Sequence, residues 1–142
     1  MVILEKHTIA EVLKESVKKY PSNIAMSSID GNAITYNEMQ TKVQKISDFL
    51  RDRGIVSGDR VAICSENTPN WALTYLAITT MGAVAVPIMT EFQSADLHHI
   101  LRHSGSKALF ISAKLYEKVE EFSSENLTTY ISHKIQYDAQ IK

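Results

Sequence analysis

The sequence predicts an α/β fold of three layers, in which a mostly parallel sheet carries helices on both faces and a small β-hairpin lies near the N-terminus. Segments with helical periodicity alternate with short strand-like segments, and repeated helix–strand units of this kind form parallel sheets. The run at residues 61–64 (VAIC) is apolar throughout rather than alternating, as expected for a strand that is buried on both faces. With 142 residues, the chain is long enough to bury a core without disulfides.

The first predicted elements are a helix and a hairpin. Thr8 and Glu11 form a capping-box pattern at the start of a short amphipathic segment, which predicts a helix. Two strand-like runs, residues 25–29 and 33–36, flank a turn that contains Gly31. Because glycine accepts the positive φ of a tight turn, these runs predict an antiparallel hairpin.

The next segment predicts a helix that leads to a central strand. Thr35 and Glu38 form a second capping box, and apolar residues follow at spacings of four, three and four. The helix is expected to end at Gly54. The turn at residues 57–60 then leads into the apolar strand 61–64.

Residues 68–90 contain no charged side chain, a length that would allow a membrane span. Pro87 and Gly82 interrupt the run, and a proline ends or kinks a helix. The pattern therefore predicts a buried helix from about Pro69 to Met81, capped by Thr68, and then a strand at residues 84–88. No transmembrane segment is expected.

The remaining elements continue the alternation. Ser94 is predicted to cap a helix, and residues 108–111 (ALFI) predict a strand. Residues 127–131 predict one more strand. Between these two strands, apolar residues at spacings of four and three predict a further helix, marked by Leu115, Val119 and Phe122.

Composition excludes several classes of function. The formal net charge is −1 and no basic run is present, so a nucleic-acid partner is not expected. Cys64 is the single cysteine, which rules out an internal disulfide and suits a reducing compartment. The first seven residues lack the layout of a signal peptide. A cytoplasmic protein is expected.

Three histidines could indicate a metal-binding site, because His99 and His103 lie one helical turn apart and His98 adjoins His99. A catalytic zinc pair at this spacing has a glutamate directly after the first histidine, where this chain has Ile100. No third ligand is evident. The histidines are therefore predicted to lie on the solvent face of their helix.

Two other features also have a structural interpretation. Residues 104–107 (SGSK) resemble a phosphate loop only faintly, because the helix precedes them and the strand follows, the reverse of the order that such a loop requires. They are predicted to be a helix stop and turn. Cys64 is predicted to be a buried structural thiol, since no histidine partner can be identified for it.

Residues 66–71 (ENTPNW) lie after a predicted parallel strand and at the start of a helix, the place where α/β sheets bind ligands. Asn67 and Thr68 could contact a ligand there, and Trp71 could line a channel. Alternatively, Thr68 is a helix cap and Trp71 belongs to the core. Neither interpretation assigns a role in chemistry, so no catalytic, cofactor-binding or metal-binding residue is assigned.

Five stretches of the sequence have the character of motifs: residues 34–39 (ITYNEM), 54–63 (GIVSGDRVAI), 67–71 (NTPNW), 81–88 (MGAVAVPI) and 99–110 (HILRHSGSKALF). In this order along the chain, they resemble motifs of the adenylate-forming superfamily, which comprises acyl-CoA synthetases, luciferases and the adenylation domains of peptide synthetases. The resemblance extends from about Thr8 to Glu120, and Asn70 replaces the acid usual in the third motif. The sequence around residues 87–104 is most similar to the long-chain fatty acyl branch.

The resemblance implies that residues 1–142 are the N-terminal part of the large domain of an ATP-dependent long-chain fatty acid–CoA ligase. Such an enzyme forms an acyl-adenylate from ATP and a fatty acid, and coenzyme A then displaces AMP. ATP, Mg²⁺ and CoA are implied for the whole enzyme, which could also be peripheral to a membrane. None of the three is expected to bind these residues, because the family's nucleotide motifs and C-terminal domain come later in its chain.

The chain alone is therefore expected to be inactive, and apolar surface that the whole enzyme covers could promote self-association. Two alternatives remain open from the sequence. One is a free-standing, non-catalytic binding or scaffold module with the same fold. The other is a different adenylating enzyme, one that activates aryl or amino acids.

Overall fold

A helix and a hairpin form the N-terminal part of the fold. The structure, a computed structural model, describes residues 8–120, 122 and 129–132. Helix α1 (Ile9–Lys19) is capped by the Thr8 hydroxyl, which accepts the backbone N–H of Glu11 at 3.2 Å. Strands β1 (Ile24–Ser27) and β2 (Ala33–Thr35) pair antiparallel, so the predicted hairpin is confirmed with slightly different strand ends.

Four parallel strands form the main sheet of the described residues: β3 (Arg60–Cys64), β4 (Val84–Pro87), β5 (Ala108–Ile111) and β6 (Thr129–Ser132). Their order across the sheet is β4-β3-β5-β6, so β3 has a partner on each side, as its apolar run predicts. Strand β6 confirms the last predicted strand from Thr129 onward, and residues 127–128 lie outside the described residues.

The strands are joined by helices α2 (Tyr36–Asp52), α3 (Pro69–Thr80) and α4 (Ser94–Ser104) and by a 3₁₀ helix (Ala113–Val119). The predicted capping box of α2 is present. The backbone N–H of Thr35 donates to Glu38 Oε2 at 2.8 Å, and the N–H of Glu38 donates to Thr35 Oγ1 at 3.3 Å.

Alternate residues of the central strands face two separate cores. Val61 and Ile63 of β3 pack with helices α1, α2 and α3. Ala62 and Cys64, between them in sequence, pack on the opposite face with α4 and the 3₁₀ helix. All four are essentially inaccessible to solvent, which confirms the three-layer arrangement with helices on both faces.

Helix α3 is buried on several sides although it contains threonines. The hydroxyls of Thr74, Thr79 and Thr80 each donate to the carbonyl oxygen four residues earlier, at 2.8, 2.8 and 2.6 Å. Because each hydroxyl has an acceptor, Thr74 can be buried and Thr79 and Thr80 half-buried without an unpaired donor. Among the described residues no helix combines the length and apolarity that crossing a bilayer requires.

The turn before β3 is fixed by one carboxylate. Asp59 Oδ2 accepts the backbone N–H of Val56 at 2.9 Å, and Oδ1 lies 2.7 Å from the ammonium nitrogen of Lys107, just before β5. The Lys107 ammonium, together with the Val56 N–H, lowers the pKa of the Asp59 carboxyl. This one side chain therefore ties together the entries to two adjacent strands.

Three predictions of local structure were wrong. Ser94 is the first residue of α4 rather than its cap, because the Asp96 carboxylate accepts the backbone N–H of Gln93 at 3.3 Å and starts the helix there. The segment marked by Leu115, Val119 and Phe122 is a 3₁₀ helix that ends at Val119, so Phe122 lies beyond it.

The third error concerns His98, which is half-buried instead of facing solvent. Its Nε2 lies 2.7 Å from the carbonyl oxygen of Lys118, and its ring lies 5.2 Å from the Phe122 ring, centre to centre. These contacts hold it against the 3₁₀ segment. His99 and His103 are exposed, as predicted.

Candidate functional site

The carboxyl ends of β3, β4 and β5 meet at one edge of the sheet, which we call the carboxyl edge. It consists of segments 65–71, 88–91 and 112–114, which include the first residues of α3 and of the 3₁₀ helix. Two backbone hydrogen bonds fix the loops at their bases: Ile88 N–H donates to the Ile63 carbonyl at 2.8 Å, and Ser112 N–H donates to the Cys64 carbonyl at 3.2 Å. Open α/β sheets bind ligands at this edge.

Two hollows open at the carboxyl edge and share Ser65 and Glu66 as lining residues. The first has a volume of about 290 Å³, and most of its lining residues have polar side chains; it is completed by Thr68, Asn70, Ser112, Ala113 and Lys114. The second has a volume of about 490 Å³ and is completed by Asn67, Trp71, Pro87, Ile88, Met89, Thr90 and Glu91.

Glu66 is the acidic group of the first hollow. The Lys114 ammonium lies 3.5 Å from Glu66 Oε1, and the Glu66 side chain is 40% exposed. The residue's own backbone N–H is the main cause of a lowered pKa for this carboxyl, and Ser112 and Lys114 contribute to it. The carboxylate is therefore charged at neutral pH, with its partner on the rim of the hollow.

Ser112 is the most unusual group of the first hollow. Its side chain is 6% exposed, and within the described residues its Oγ has no partner in hydrogen-bond geometry. The hydroxyl lies close enough to favour the charged form of Glu66, but it is not aligned for a hydrogen bond. A buried hydroxyl without a partner indicates a place where a ligand or a water molecule binds.

The structural interpretation of residues 66–71 is confirmed for the Thr68 cap, whereas ligand contact by Asn67 and Thr68 stays a prediction. Thr68 caps α3, since its Oγ1 accepts the N–H of Trp71 at 3.4 Å, and it also lines the first hollow. Asn67 is exposed at the second hollow. Trp71 is half-buried, packs against the α1–α3 core, and stacks on Tyr75 with ring centres 5.4 Å apart; one part of it also lines the second hollow.

The other sequence candidates lie away from the hollows or have structural roles. Gly105 ends α4, as predicted, and Lys107 is paired with Asp59. Cys64 is 1% exposed, and burial raises its pKa, so it is the predicted structural thiol. In the part of the chain that the structure describes, no group of three or more histidine, cysteine, aspartate or glutamate residues could hold a metal ion.

Sequence reasoning missed two of the three loops of the carboxyl edge. Residues 89–91 and 112–114 belong to none of the five motif stretches, and neither segment was singled out as a candidate for ligand contact. Ser112 in particular is an ordinary serine in the sequence. Its burial beside Glu66 follows from the pairing of β3 with β5.

Together, the fold and this edge define a class of protein: a three-layer α/β scaffold that gathers polar and apolar loops at the carboxyl ends of its parallel strands. The family model described as "AMP-binding enzyme" matches residues 13–140. The chain therefore belongs to the AMP-binding enzyme family, and the resemblance noted in the sequence is confirmed.

Relatives of known name differ widely in size. The chain is 30% identical, over 121 residues, to equisetin synthetase of Fusarium heterosporum, with 85% of the chain and 3% of that protein covered. It is 25% identical, over 111 residues, to 3-oxocholest-4-en-26-oate–CoA ligase of Rhodococcus rhodochrous, with 78% of the chain and 20% of that protein covered. The chain thus spans a fifth or less of these two relatives.

Among solved structures, the chain is similar to a fatty acyl CoA synthetase of Mycobacterium tuberculosis. The TM-score is 0.80 at 26% identity, and the match covers 88% of this chain and 26% of that one. The α/β architecture described above is therefore that of an adenylate-forming enzyme.

Proposed function

We propose that residues 1–142 are the N-terminal part of the large domain of an ATP-dependent acyl-CoA synthetase. The observation that carries the proposal is the family match over residues 13–140 on a scaffold similar to that of the fatty acyl CoA synthetase. The chain spans 26% of that structure. Exposed apolar side chains, among them Ile24 and Met89, support the view that other segments of the natural protein pack on this one.

The described residues do not fit the phosphates of ATP or a bound Mg²⁺. The one segment that resembles a phosphate loop is a helix stop, and its Lys107 is paired with Asp59 at 2.7 Å. A cluster of acidic groups able to hold a metal ion is not found in the described part of the chain. We therefore assign ATP, Mg²⁺ and CoA to the remainder of the natural protein.

The contribution of this chain is a wall of the site for the carboxylic acid. The carboxyl edge offers a hollow that contains the unpartnered Ser112 hydroxyl, next to a hollow whose lining includes the apolar side chains of Trp71, Ile88 and Met89. Such a pairing suits a substrate that has a polar end and an apolar body. A long-chain fatty acid meets this description, and the sequence around residues 87–104 supports the same choice.

Similarity to 3-oxocholest-4-en-26-oate–CoA ligase, whose name states a different acid, favours a second candidate, activation of an acid other than a long-chain fatty acid. The natural protein should be assayed with ATP, Mg²⁺ and CoA against a long-chain fatty acid, an aryl acid and an amino acid. Fastest thioester formation from the fatty acid is expected. Faster adenylation of either other acid would support the second candidate, and no adenylate from any acid would refute both.

The 142-residue chain alone is expected to release no pyrophosphate under these conditions, because its described residues offer no fitted site for the nucleotide phosphates. An adenylate formed by the pure chain would contradict this assignment. A mixture of the chain with the remainder of the protein is the appropriate positive control.

Replacing Ser112 by alanine tests the wall of the site. Because the hydroxyl has no partner, its removal should change the free energy of unfolding by less than about 0.5 kcal/mol, whereas the KM for the acid should rise about threefold to tenfold in the natural protein.

Ser47→Ala is the matched control. Ser47 is also buried, but its Oγ donates to the Ala77 carbonyl at 3.1 Å, so this change should destabilise by about 1 kcal/mol and leave KM unchanged. An unchanged KM for Ser112→Ala would exclude contact with the acid.

A further inference from the structure

Two exposed histidines lie side by side on the outer face of α4. His99 and His103 are four residues apart, their ring centres are 5.8 Å apart, and the ring planes differ by 12°. Within the described residues, neither ring has a hydrogen bond or an ion pair, and the two rings stack on each other. The pair is therefore available to a ligand from solvent.

We propose that His99 and His103 form a bidentate site for a divalent transition-metal ion. Imidazoles one helical turn apart on one face can bind a common ion. With metal–nitrogen bonds of 2.0–2.1 Å, two imidazoles on one tetrahedral ion have ring centres about 5 Å apart. The observed separation of 5.8 Å approaches this value, so binding requires rotation of the two imidazole side chains toward a common ion rather than a change in their spacing on α4.

The surroundings of the pair favour a cation more than the sequence suggests. Arg102 lies between the two histidines in sequence, but its guanidinium lies over the Phe122 ring, 5.3 Å from the ring centre. Asp96, one turn before His99, supplies a negative charge on the same side of the helix while it accepts the Gln93 N–H. Water would complete the coordination of the ion.

The donor set indicates which ions bind. Two neutral imidazoles suit Cu²⁺, Ni²⁺ and Zn²⁺ rather than Mg²⁺ or Ca²⁺, which prefer oxygen ligands. Affinity should follow the order in which Cu²⁺ binds more tightly than Ni²⁺ or Zn²⁺. The site lies on α4, away from the carboxyl edge, and it is independent of the proposed acid-binding role.

The test is a calorimetric titration of the 142-residue chain and of the natural protein with CuCl₂, NiCl₂ and ZnCl₂ in a buffer that does not chelate metals, at pH about 7.5, because only neutral imidazole binds. One ion per chain is expected, together with a thermal midpoint that rises with metal concentration. His99→Ala and His103→Ala should each weaken binding at least about tenfold, because the second ligand is then no longer held close to the ion.

His98 provides a control for the spacing between the two ligands. In His99→Ala, His98 remains five residues from His103, but its ring is held against Lys118 and Phe122. Binding that survives in His99→Ala would overturn the proposal, as would the absence of any binding by the unmodified chain up to about 1 mM metal. His98→Asn should leave metal affinity unchanged, and equal loss in this variant would also contradict the site. The three variants should keep the helical circular dichroism of the parent.

Discussion

The variant Phe110→Ala will lose about 3–5 kcal/mol of unfolding free energy. Among the described residues, Phe110 is the largest fully buried side chain, and it lies on β5, between two neighbouring strands. Its ring packs in the core formed with α1, α2 and α3. Truncation removes buried apolar area and leaves a cavity that a sheet strand, held by its neighbours, cannot close.

A loss of this size is a large fraction of the stability of an ordinary domain, about 5–15 kcal/mol. Urea unfolding followed by circular dichroism would measure it, and Phe110→Leu should lose about 1–1.5 kcal/mol because it keeps most of the volume. Tyr116→Ala serves as the control, since Tyr116 is an exposed aromatic residue in the 3₁₀ helix and should lose less than about 1 kcal/mol. Equal losses at the two positions would contradict the described core.

The second large effect is expected at Gly82, the residue between α3 and β4. Its φ is +86°, and a β-carbon there would lie 2.6 Å from Ser57 Oγ and 3.2 Å from Ser57 Cβ. Its carbonyl accepts the Gly58 N–H at 2.9 Å and the Ser57 hydroxyl at 3.2 Å. Gly82→Ala should therefore cost about 2–5 kcal/mol, from left-handed backbone strain and steric overlap together.

The variant Gly31→Ala separates backbone strain from steric overlap. Gly31 has a similar φ of +95°, but a β-carbon there would meet no atom within 4 Å, so only the backbone strain of about 1–2 kcal/mol applies. Adding Ser57→Ala to Gly82→Ala should recover part of the difference, measured against Ser57→Ala alone in a double-mutant cycle. If Gly82→Ala costs no more than Gly31→Ala, the close approach of Ser57 is incorrect.

Local chemistry explains which elements could be predicted. The capping box of Thr35 and Glu38, the cap Thr68 with Pro69, and the apolar strand 61–64 each act within a few residues, and each is present in the structure. The 3₁₀ helix was missed because its winding depends on distant contacts. Lys118 donates to the carbonyl oxygens of Thr90 and Phe92 at 2.8 and 2.7 Å. The sequence of the segment alone cannot predict these hydrogen bonds.

The candidate site was predicted only at the segment after β3. Position after a strand is a sequence signal, but which loops become neighbours depends on the order β4-β3-β5-β6, in which β5 lies beside β3 although α3, β4 and α4 separate them along the chain. Ser112 and Glu66 are 46 positions apart in the numbering, and nothing local links them. They lie close together because β3 and β5 are neighbouring strands.

The hydrogen bonds from Ile88 and Ser112 to the strand carbonyls have an evolutionary consequence. Each loop is attached at its base to the neighbouring strand by main-chain atoms, which every residue except proline can supply as donor and acceptor. The side chains at the loop tips are therefore not needed to hold the loops against the sheet. Substitutions at the loop tips can therefore accumulate without unfolding the scaffold, which suits a family whose members carry names as different as equisetin synthetase and a cholestenoate–CoA ligase.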